Sequence, residues 1–325
     1  MGDGSEKPRN SIKSVTIRPL QEQDISEADR VYRLAFGSFI GLPDPAQFGG
    51  DTDCIRTRWL TDKEAAFVAE QDGVIVGSNF AVNWGSVGYL GPLTVLPDLW
   101  GQHIGHRLIE PVMRLFSVWA IQHAGLVTFA YSPKHIELYQ KFGFWPRFLS
   151  AIMYKKVNRP RRILSFTRYS EISEREKSDG IIACRELTNS IYEGLNVERE
   201  IRSVSLQNLG DTILLWDGIQ LTGMAVCHCG QGTEAGSDIC YVKFGAVCPS
   251  LQAEQYFGNL LDACETLAWE RRLLRLVAGV GLGREYAYKC MRSRGFQIDR
   301  LGVTMHLPNE PYYDRPDVYL IDDWR

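Results

Sequence analysis

Two glycines in a short loop are the residues of this chain best placed for chemistry. Gly101 and Gly105 lie in the stretch Leu93–Leu108, where an apolar run ends at Pro97 and a long amphipathic segment follows. The backbone N–H groups at a helix start have no partner within the helix, and the helix dipole adds partial positive charge there. Glycine also lets a ligand approach the main chain closely. The stretch therefore predicts an anion site at the start of a helix.

The elements that must position this loop follow from hydrophobic periodicity and turn signals. The turn Gln71-Asp72-Gly73 is expected to join two adjacent strands. In chain order, the predicted elements are a strand at Val15–Pro19, helices at Gln23–Phe39 and Thr52–Leu60, strands at Ala65–Glu70, Val74–Asn83 and Val87–Leu96, a helix from the glycine loop to about Ala124, and a strand at Leu126–Tyr131.

This order of elements resembles the GNAT superfamily of acetyl-CoA-dependent N-acyltransferases. Members carry a Val-x-Pro strand end, an Arg/Gln-x-x-Gly-x-Gly/Ala pyrophosphate loop and a later Tyr-x-x-x-Gly-Phe. The matching residues are Val95-Leu-Pro97, the glycine loop and Tyr139-Gln-Lys-Phe-Gly143-Phe144. Trp100 stands where Arg or Gln is usual, and His103 stands where the first motif glycine is usual. The resemblance covers roughly residues 15–157.

The resemblance implies acetyl-CoA as cosubstrate, with no metal. In the family, backbone N–H groups of the strand before the loop hold the pantetheine and the thioester oxygen, and donors of this kind contribute a large catalytic effect. The residues that this implies for cofactor binding are Leu93, Thr94, Val95, Trp100, Gly101, Gln102, His103, Ile104, Gly105 and His106.

Tyr139 matches the family tyrosine that protonates the departing sulfur. A phenol with a pKa near 10 is a protonated donor at neutral pH. The alternative is that the Tyr139 ring only packs against Phe142 and Phe144. A general base is not evident, because Val87–Leu96 contains no Asp, Glu or His. The alternatives are the loop carboxylates Asp44, Asp51 and Asp53, the chain end from Asp322 to Arg325, and a chain of water molecules.

The second half of the chain repeats the first at a constant offset of 152 residues, which indicates a duplicated unit. The landmark pairs are Pro97 with Pro249, Leu108 with Leu260, Gly143 with Gly295, and Met153 with Met305. The chemistry is not duplicated: at this offset Gly101 becomes Ala253, Gly105 becomes Phe257 and Tyr139 becomes Met291. We therefore expect the second unit, opening with a strand at Ile181–Leu187, to bind no CoA of its own. It is expected to be structurally required, with residues 312–321 packing as a strap.

The predicted fold class is α/β (mixed α+β), with two tandem GNAT-like domains, each a central mixed, mostly antiparallel twisted sheet flanked by helices. The predicted divisions are a disordered tail at 1–13, a catalytic domain at 14–157, a linker at 158–180, a degenerate GNAT-like domain at 181–310 and a C-terminal tail at 311–325.

The composition narrows the function classes. A net charge of −3 and a pI near 6.1 give no general attraction to nucleic acid or anionic membrane, so neither is predicted as a partner. The 8 cysteines and the absence of a secretory signal favour reduced thiols in the cytoplasm. Cys227-His228-Cys229 has no second ligand pair at zinc spacing and alternates like a strand, so we interpret it as structural.

The function predicted from these features is transfer of an acetyl group from acetyl-CoA to a primary amine of a small molecule or peptide. The alternative is a non-catalytic CoA-binding or interaction module. The sequence leaves the acceptor and the oligomeric state open, with a homodimer as one outcome.

Overall fold

A computed structural model describes residues 14–160 and 165–322. The predicted disordered tail, residues 1–13, and the last three residues lie outside this range. Its helices are α1 Ile25–Phe39, α2 Cys54–Thr61, α3 Ile104–Val118, α4 Pro133–Gln140, α5 Glu174–Ile191, α6 Glu198–Leu206, α7 Ala253–Glu270 and α8 Glu285–Ser293. Its strands are β1 Val15–Pro19, β2 Ala66–Gln71, β3 Val74–Trp84, β4 Val87–Leu90, β5 Thr94–Val95, β6 His123–Thr128, β7 Trp145–Lys156, β8 Thr167–Arg168, β9 Gly210–Asp217, β10 Gln220–Gly230, β11 Gly236–Val247, β12 Arg275–Gly281, β13 Gln297–Leu307 and β14 Leu320–Asp322.

All of these strands belong to one sheet. Its order is β1-β2-β3-β4-β6-β13-β7-β12-β11-β10-β9-β8, with β5 pairing with β3 and β14 with β11. The β4–β6 and β11–β12 pairs are parallel and the others are antiparallel. The predicted mixed, mostly antiparallel sheet is confirmed. We call β1 to β7 the first unit and β8 to β14 the second unit, each with the helices between its strands.

The two units exchange their strands β7 and β13. Strand β6 of the first unit pairs with β13, β12 of the second unit pairs with β7, and β7 and β13 pair with each other at the centre. Ser150 lies opposite Gly302, its own counterpart at the offset of 152 residues. The same offset relates the two flanking strand pairs. Thr128 of β6 lies opposite Val303 of β13, and their counterparts Val280 of β12 and Ala151 of β7 lie opposite each other. The sequence repeat therefore corresponds to a pseudo-twofold relation between the two units. Neither unit completes its sheet alone.

The units also dock through their hairpin turns. The turn between β3 and β4 meets the α5–α6 loop, where Ser86 N donates to Gly194 O at 2.9 Å. The turn between β10 and β11 meets the α1–α2 loop, where Gly232 N donates to Asp51 O at 3.1 Å. Each unit thus contacts the other at equivalent places.

A hydrophobic core spans both units and includes the predicted strap. It joins Trp84 and Tyr89 of the first unit to the buried faces of α5 and α6 and to Tyr312 and Tyr313. The last part of the strap forms β14, which the sequence interpretation placed in a C-terminal tail. Packing of Tyr312-Tyr313 and of residues 318–321 against the core is confirmed.

The predicted strand at Ile181–Leu187 is wrong, because these residues lie in helix α5. Buried side chains recur in α5 at helical spacing, at Ile181, Cys184, Leu187 and Ile191. This helical period is not visible within the seven residues Ile181–Leu187. The predicted linker, residues 158–180, contains β8 and the first turns of α5, which Ser173 and Glu176 cap. Some of the polar residues that suggested a linker lie on the exposed face of this helix.

Helix α3 ends at Val118, earlier than the predicted end near Ala124. Ala120 follows with a φ of 53°, in the left-handed region where a right-handed helix cannot continue. The chain then enters β6 at His123.

A fragment ending at Val157 is expected to aggregate when it is produced alone. It would hold β6 and β7 without their partners β13 and β12, and would expose Leu126 and Met153, which are buried. Burying one such side chain is worth about 1.5–3 kcal/mol, and several of them approach a total stability of about 5–15 kcal/mol. Size-exclusion chromatography of the fragment measures this. Co-expression with residues 165–325 should restore a soluble complex, whereas a soluble, monomeric fragment would contradict the role given to strand exchange.

Candidate functional site

In the first unit the pairing of β4 with β6 ends partway along β6, and we call the place where the two strands diverge the cleft. The two strands are paired in parallel from Val87–His123 to Tyr89–Gly125. Beyond Tyr89 the chain leaves β6, and β5 pairs instead with β3 through Thr94 and Ser78. The far edge of β6 is occupied by β13. The segment that includes Leu93 and β5 therefore forms one wall of the cleft.

Backbone groups of this wall face the cleft. Leu96 N donates to Val76 O of β3 at 2.9 Å. Because backbone groups alternate along a strand, the N–H group of Val95 in β5 faces away from β3. The carbonyl of Val95 confirms this direction, since it accepts from Trp100 Nε1 at 2.8 Å. The donors that the sequence assigned to a thioester oxygen are thus in the cleft wall, and the half-exposed Trp100 indole lies beside them.

The glycine loop turns sharply into α3. Gly101 has a φ of 83° and His103, which precedes the first helical residue, has a φ of 60°. A Cβ atom placed on Gly105 would lie 3.5 Å from Leu138 Cδ2 and 3.8 Å from Leu93 Cδ2. The structure therefore brings together the cleft wall, the first turn of α3 and helix α4. Ordinary contact distances at Gly105 mean that packing within the protein does not require glycine there.

The other residues assigned to the cofactor have different surroundings. Ile104 is buried in an apolar cluster with Leu108 and anchors the start of α3. Gln102 is exposed. The ring of His106 lies 4.6 Å from that of Phe142, between centroids, so this residue links α3 to the end of α4.

Tyr139 is buried in the core beneath the cleft, in a cluster with Leu90, Leu126 and Phe144 and with Leu93 packed against it. Burial raises the pKa of the Tyr139 phenol, so the group is protonated throughout the neutral range. A protonated donor and a packed ring are both compatible with this environment.

The three loop carboxylates hold the loop itself. Asp44 accepts from Ala46 N, and Asp53 accepts from Arg56 N at the start of α2. Asp51 accepts from Ser237 N of the second unit at 2.8 Å. In this structure these carboxylates accept hydrogen bonds that cap local turns and dock the loop on the second unit.

Sequence reasoning missed a buried ion network beside the cleft. Arg58 Nη1 donates to Gly91 O at 2.8 Å, and its Nη2 lies 2.9 Å from Glu234 Oε2. Lys243 Nζ lies 2.8 Å from Glu234 and 3.0 Å from Glu200. Burial alone would raise the pKa of Glu234, but Arg58 and Lys243 hold it below its usual range. These residues come from separate helices, a strand and a turn, so no local motif marks them.

The second unit has the same cleft, but a strand of its own fills it. β11 and β12 begin their pairing at Ile239–Arg275, the counterpart of Val87–His123. Beyond this pairing, β14 is hydrogen-bonded to β11 along Phe244–Ala246. Phe257, which stands in place of Gly105, is buried with its ring 5.5 Å from Tyr319.

Buried charges hold the filling strand in place. Arg284 forms ion pairs with Asp322 of β14 and with Asp314, the latter at 3.1 Å. Tyr313 Oη donates to Asp322 at 2.7 Å. Since these groups are nearly fully buried, removing β14 would take away one of the two carboxylates that balance Arg284 in the core.

Two further structural findings concern metal binding and membrane spanning. Over residues 14–160 and 165–322, no group of three or more His, Cys, Asp or Glu side chains is arranged to hold a metal ion. Cys227 lies in the core of the second unit, and burial lowers the pKa of His228 to about 4. Among the helices of the same ranges, none has the length and apolar character needed to cross a membrane.

Comparison with known proteins identifies the first unit. Residues 29–144 match the acetyltransferase (GNAT) family, which confirms the family predicted from the glycine loop. No curated protein matches the chain.

Solved structures match over both units. A putative acetyltransferase from Pyrococcus horikoshii superposes with a TM-score of 0.68 at 12% identity, covering 98% of each chain. A GCN5-related N-acetyltransferase from Sphaerobacter thermophilus gives a TM-score of 0.59 at 15% identity, over 90% of this chain and 95% of that one. N-myristoyltransferase from Saccharomyces cerevisiae, solved with myristoyl-CoA, gives 0.61 at 12% identity, over 94% and 85%. At these identities the likeness concerns the fold.

Replacing His103 by glycine is expected to stabilise the protein. A side chain in the left-handed region costs about 1–2 kcal/mol, which glycine avoids. For a chain of 325 residues we expect a rise of roughly 1–2 °C in the unfolding midpoint per kcal/mol. His103→Val, with a β-branched side chain, should lower the midpoint. Thermal unfolding followed by circular dichroism measures both variants, and a lower midpoint for His103→Gly would refute the strain at this position.

Proposed function

Since residues 29–144 belong to the acetyltransferase (GNAT) family, we propose that the first unit transfers an acetyl group from acetyl-CoA to a primary amine of a small molecule or peptide. The observation that carries the proposal is the cleft. It joins the backbone N–H of Val95, which faces away from β3, to a helix start that has glycine at 105. The second unit, with β14 in its cleft and Phe257 at its helix start, is proposed to bind no CoA.

The residues present fit acetyl-CoA. The start of α3, from Gly101 to His106, would hold the pyrophosphate through backbone N–H groups and the helix dipole. Leu93, Thr94 and Val95 would hold the pantetheine along the cleft wall. The cosubstrate supplies an activated acetyl thioester. For the pantetheine to reach the Val95 backbone, Trp100 has to give up its hydrogen bond to the Val95 carbonyl.

The chain's contribution to the reaction is charge stabilisation and proton supply. The N–H groups of the cleft wall stabilise negative charge on the carbonyl oxygen as the amine attacks. The Tyr139 hydroxyl, kept protonated by burial, holds the proton for the departing sulfur. Glu234 is ion-paired and its pKa is lowered, so it is a poor base. We therefore propose that water in the cleft takes the proton of the amine.

A second candidate is a CoA-binding module without turnover. Its supporting observation is that Asp44, Asp51 and Asp53 are engaged in capping and docking rather than directed at a substrate. Release of free thiol from acetyl-CoA, followed with a chromogenic reagent across a panel of amines, separates the two candidates. Binding of CoA without thiol release for any amine would favour the module.

We expect one CoA to bind per chain, in the first unit. Calorimetric titration with CoA measures the stoichiometry. Gly105→Phe, which copies Phe257 into the first unit, should abolish binding because the ring takes the space at the helix start. Ala253→Gly in the second unit is the control and should leave the titration unchanged. Two sites per chain, or undiminished binding by Gly105→Phe, would overturn this assignment.

Tyr139→Phe is expected to lower kcat by about 10²–10⁴-fold with little change in CoA affinity, because the variant keeps the ring and loses only the acid. Steady-state thiol release together with CoA titration gives both quantities. Tyr256→Phe, on helix α7 of the second unit, removes a hydroxyl of the same kind away from the cleft and should retain full turnover. Unchanged turnover in Tyr139→Phe would assign Tyr139 to packing.

A further inference from the structure

We infer that Arg58 is a positioning residue for the cleft wall, and that the second unit holds it in place through Glu234. The inference rests on the proposed acetyl transfer, since it concerns the strand that would polarise the thioester. It gives the second unit, whose own cleft is filled, a direct part in the site of the first.

The first step concerns the two ends of the cleft wall. At one end, Gly91 N donates to Phe80 O of β3 at 2.9 Å, and Gly91 O accepts from Arg58 Nη1 at 2.8 Å. At the other end, the Thr94 hydroxyl lies 2.9 Å from that of Ser78, both buried. The residues between Gly91 and Thr94, Leu93 among them, lie outside the paired positions of β4 and β5 with β3. Their conformation depends on how these two ends are fixed.

The second step concerns what fixes Arg58. Its side chain is 4% exposed, and so is that of Glu234, which faces it from the second unit. Both Nε and Nη2 of Arg58 donate to Glu234 Oε2, at 3.3 and 2.9 Å. A planar guanidinium held through two nitrogens has a defined orientation, so its third nitrogen, Nη1, is directed at the Gly91 carbonyl. A lysine at this position would act as a single point charge.

The third step concerns the turn that carries Glu234. It lies between β10 and β11 and docks on the loop before α2, where Asp53 N donates to Thr233 O at 3.0 Å. Asp53 also caps α2, the helix that carries Arg58. The arginine and its partner are therefore fixed to each other by backbone contacts as well as by charge.

The rest of the network supplies a matched control. Lys243 lies 3.0 Å from Glu200, which also accepts from Trp84 Nε1 at 3.1 Å. Arg58 with Glu234 and Lys243 with Glu200 are two buried pairs of opposite charge, and the Gly91 carbonyl accepts from the first pair. Removing either pair takes away one positive and one negative charge and leaves the other pair balanced.

The experiment compares the double variants R58M/E234Q and K243M/E200Q in the full-length chain. Displacing reacting groups by about 1 Å costs on the order of 10²-fold in rate. We expect R58M/E234Q to lower kcat by about 10- to 100-fold while the Kd for CoA changes less than about threefold, since the helix start that holds the phosphates is untouched. K243M/E200Q should stay within about threefold of wild type in both. R58K should resemble R58M/E234Q in kcat, because lysine has a single nitrogen and cannot hold Glu234 through two nitrogens while a third faces the Gly91 carbonyl.

A second measurement does not depend on turnover. Hydrogen–deuterium exchange of the peptide spanning residues 90–96, read by mass spectrometry, reports the order of the cleft wall. Exchange there should be at least about tenfold faster in R58M/E234Q than in wild type, and unchanged in K243M/E200Q. The inference would be overturned if the two double variants showed equal losses of kcat and equal exchange rates. It would also be overturned if neither variant differed from wild type in kcat or in exchange. If the wild-type protein showed no acetyl transfer, the proposed function would be refuted instead. The exchange comparison would still decide the role of Arg58.

Discussion

The structure depends on the pairing of β7 with β13 at the centre of one sheet. Each of these strands belongs to one unit in sequence and pairs with a strand of the other unit in space. Hydrogen bonds and buried side chains at this junction are shared, so neither half has a complete sheet edge or core of its own. Duplication of a unit that exchanges one strand gives a pseudo-symmetric protein with one continuous sheet, although its sequence shows two repeats.

Much of the first unit is predictable because its signals are local. Glycines at a strand–helix junction, the Gln71-Asp72-Gly73 turn and the apolar period of α1 each lie within one short window, and the structure places all of them as expected. The repeat offset is also a property of the sequence alone, and it reappears as strand register. Ile181–Leu187 failed as a strand because its helical period becomes visible only over the full length of α5, whose exposed polar face resembles a linker.

Long-range features of the site were beyond sequence reasoning. Strand exchange cannot be read from periodicity, since β7 and β13 have the same pattern whichever strand they pair with. Arg58 and Glu234 are 176 positions apart, and each alone is typical of an exposed charge. The filled second cleft was anticipated only through Phe257. That β14 fills this cleft follows from its pairing with β11, for which a three-residue strand gives no sequence signal.

Strand exchange also sets the order in which a growing chain can complete its fold. When residue 157 has been synthesised, β6 has one edge without a partner, and β7 has neither of its neighbours until β12 and β13 follow. At a synthesis rate of about 5–20 residues per second, the stretch up to Leu307 takes roughly 8–30 seconds. During this time the nascent chain carries two apolar strands with open edges, a template for pairing with other chains. The finished fold thus imposes on its own synthesis a period in which strand edges are open to pairing with other chains.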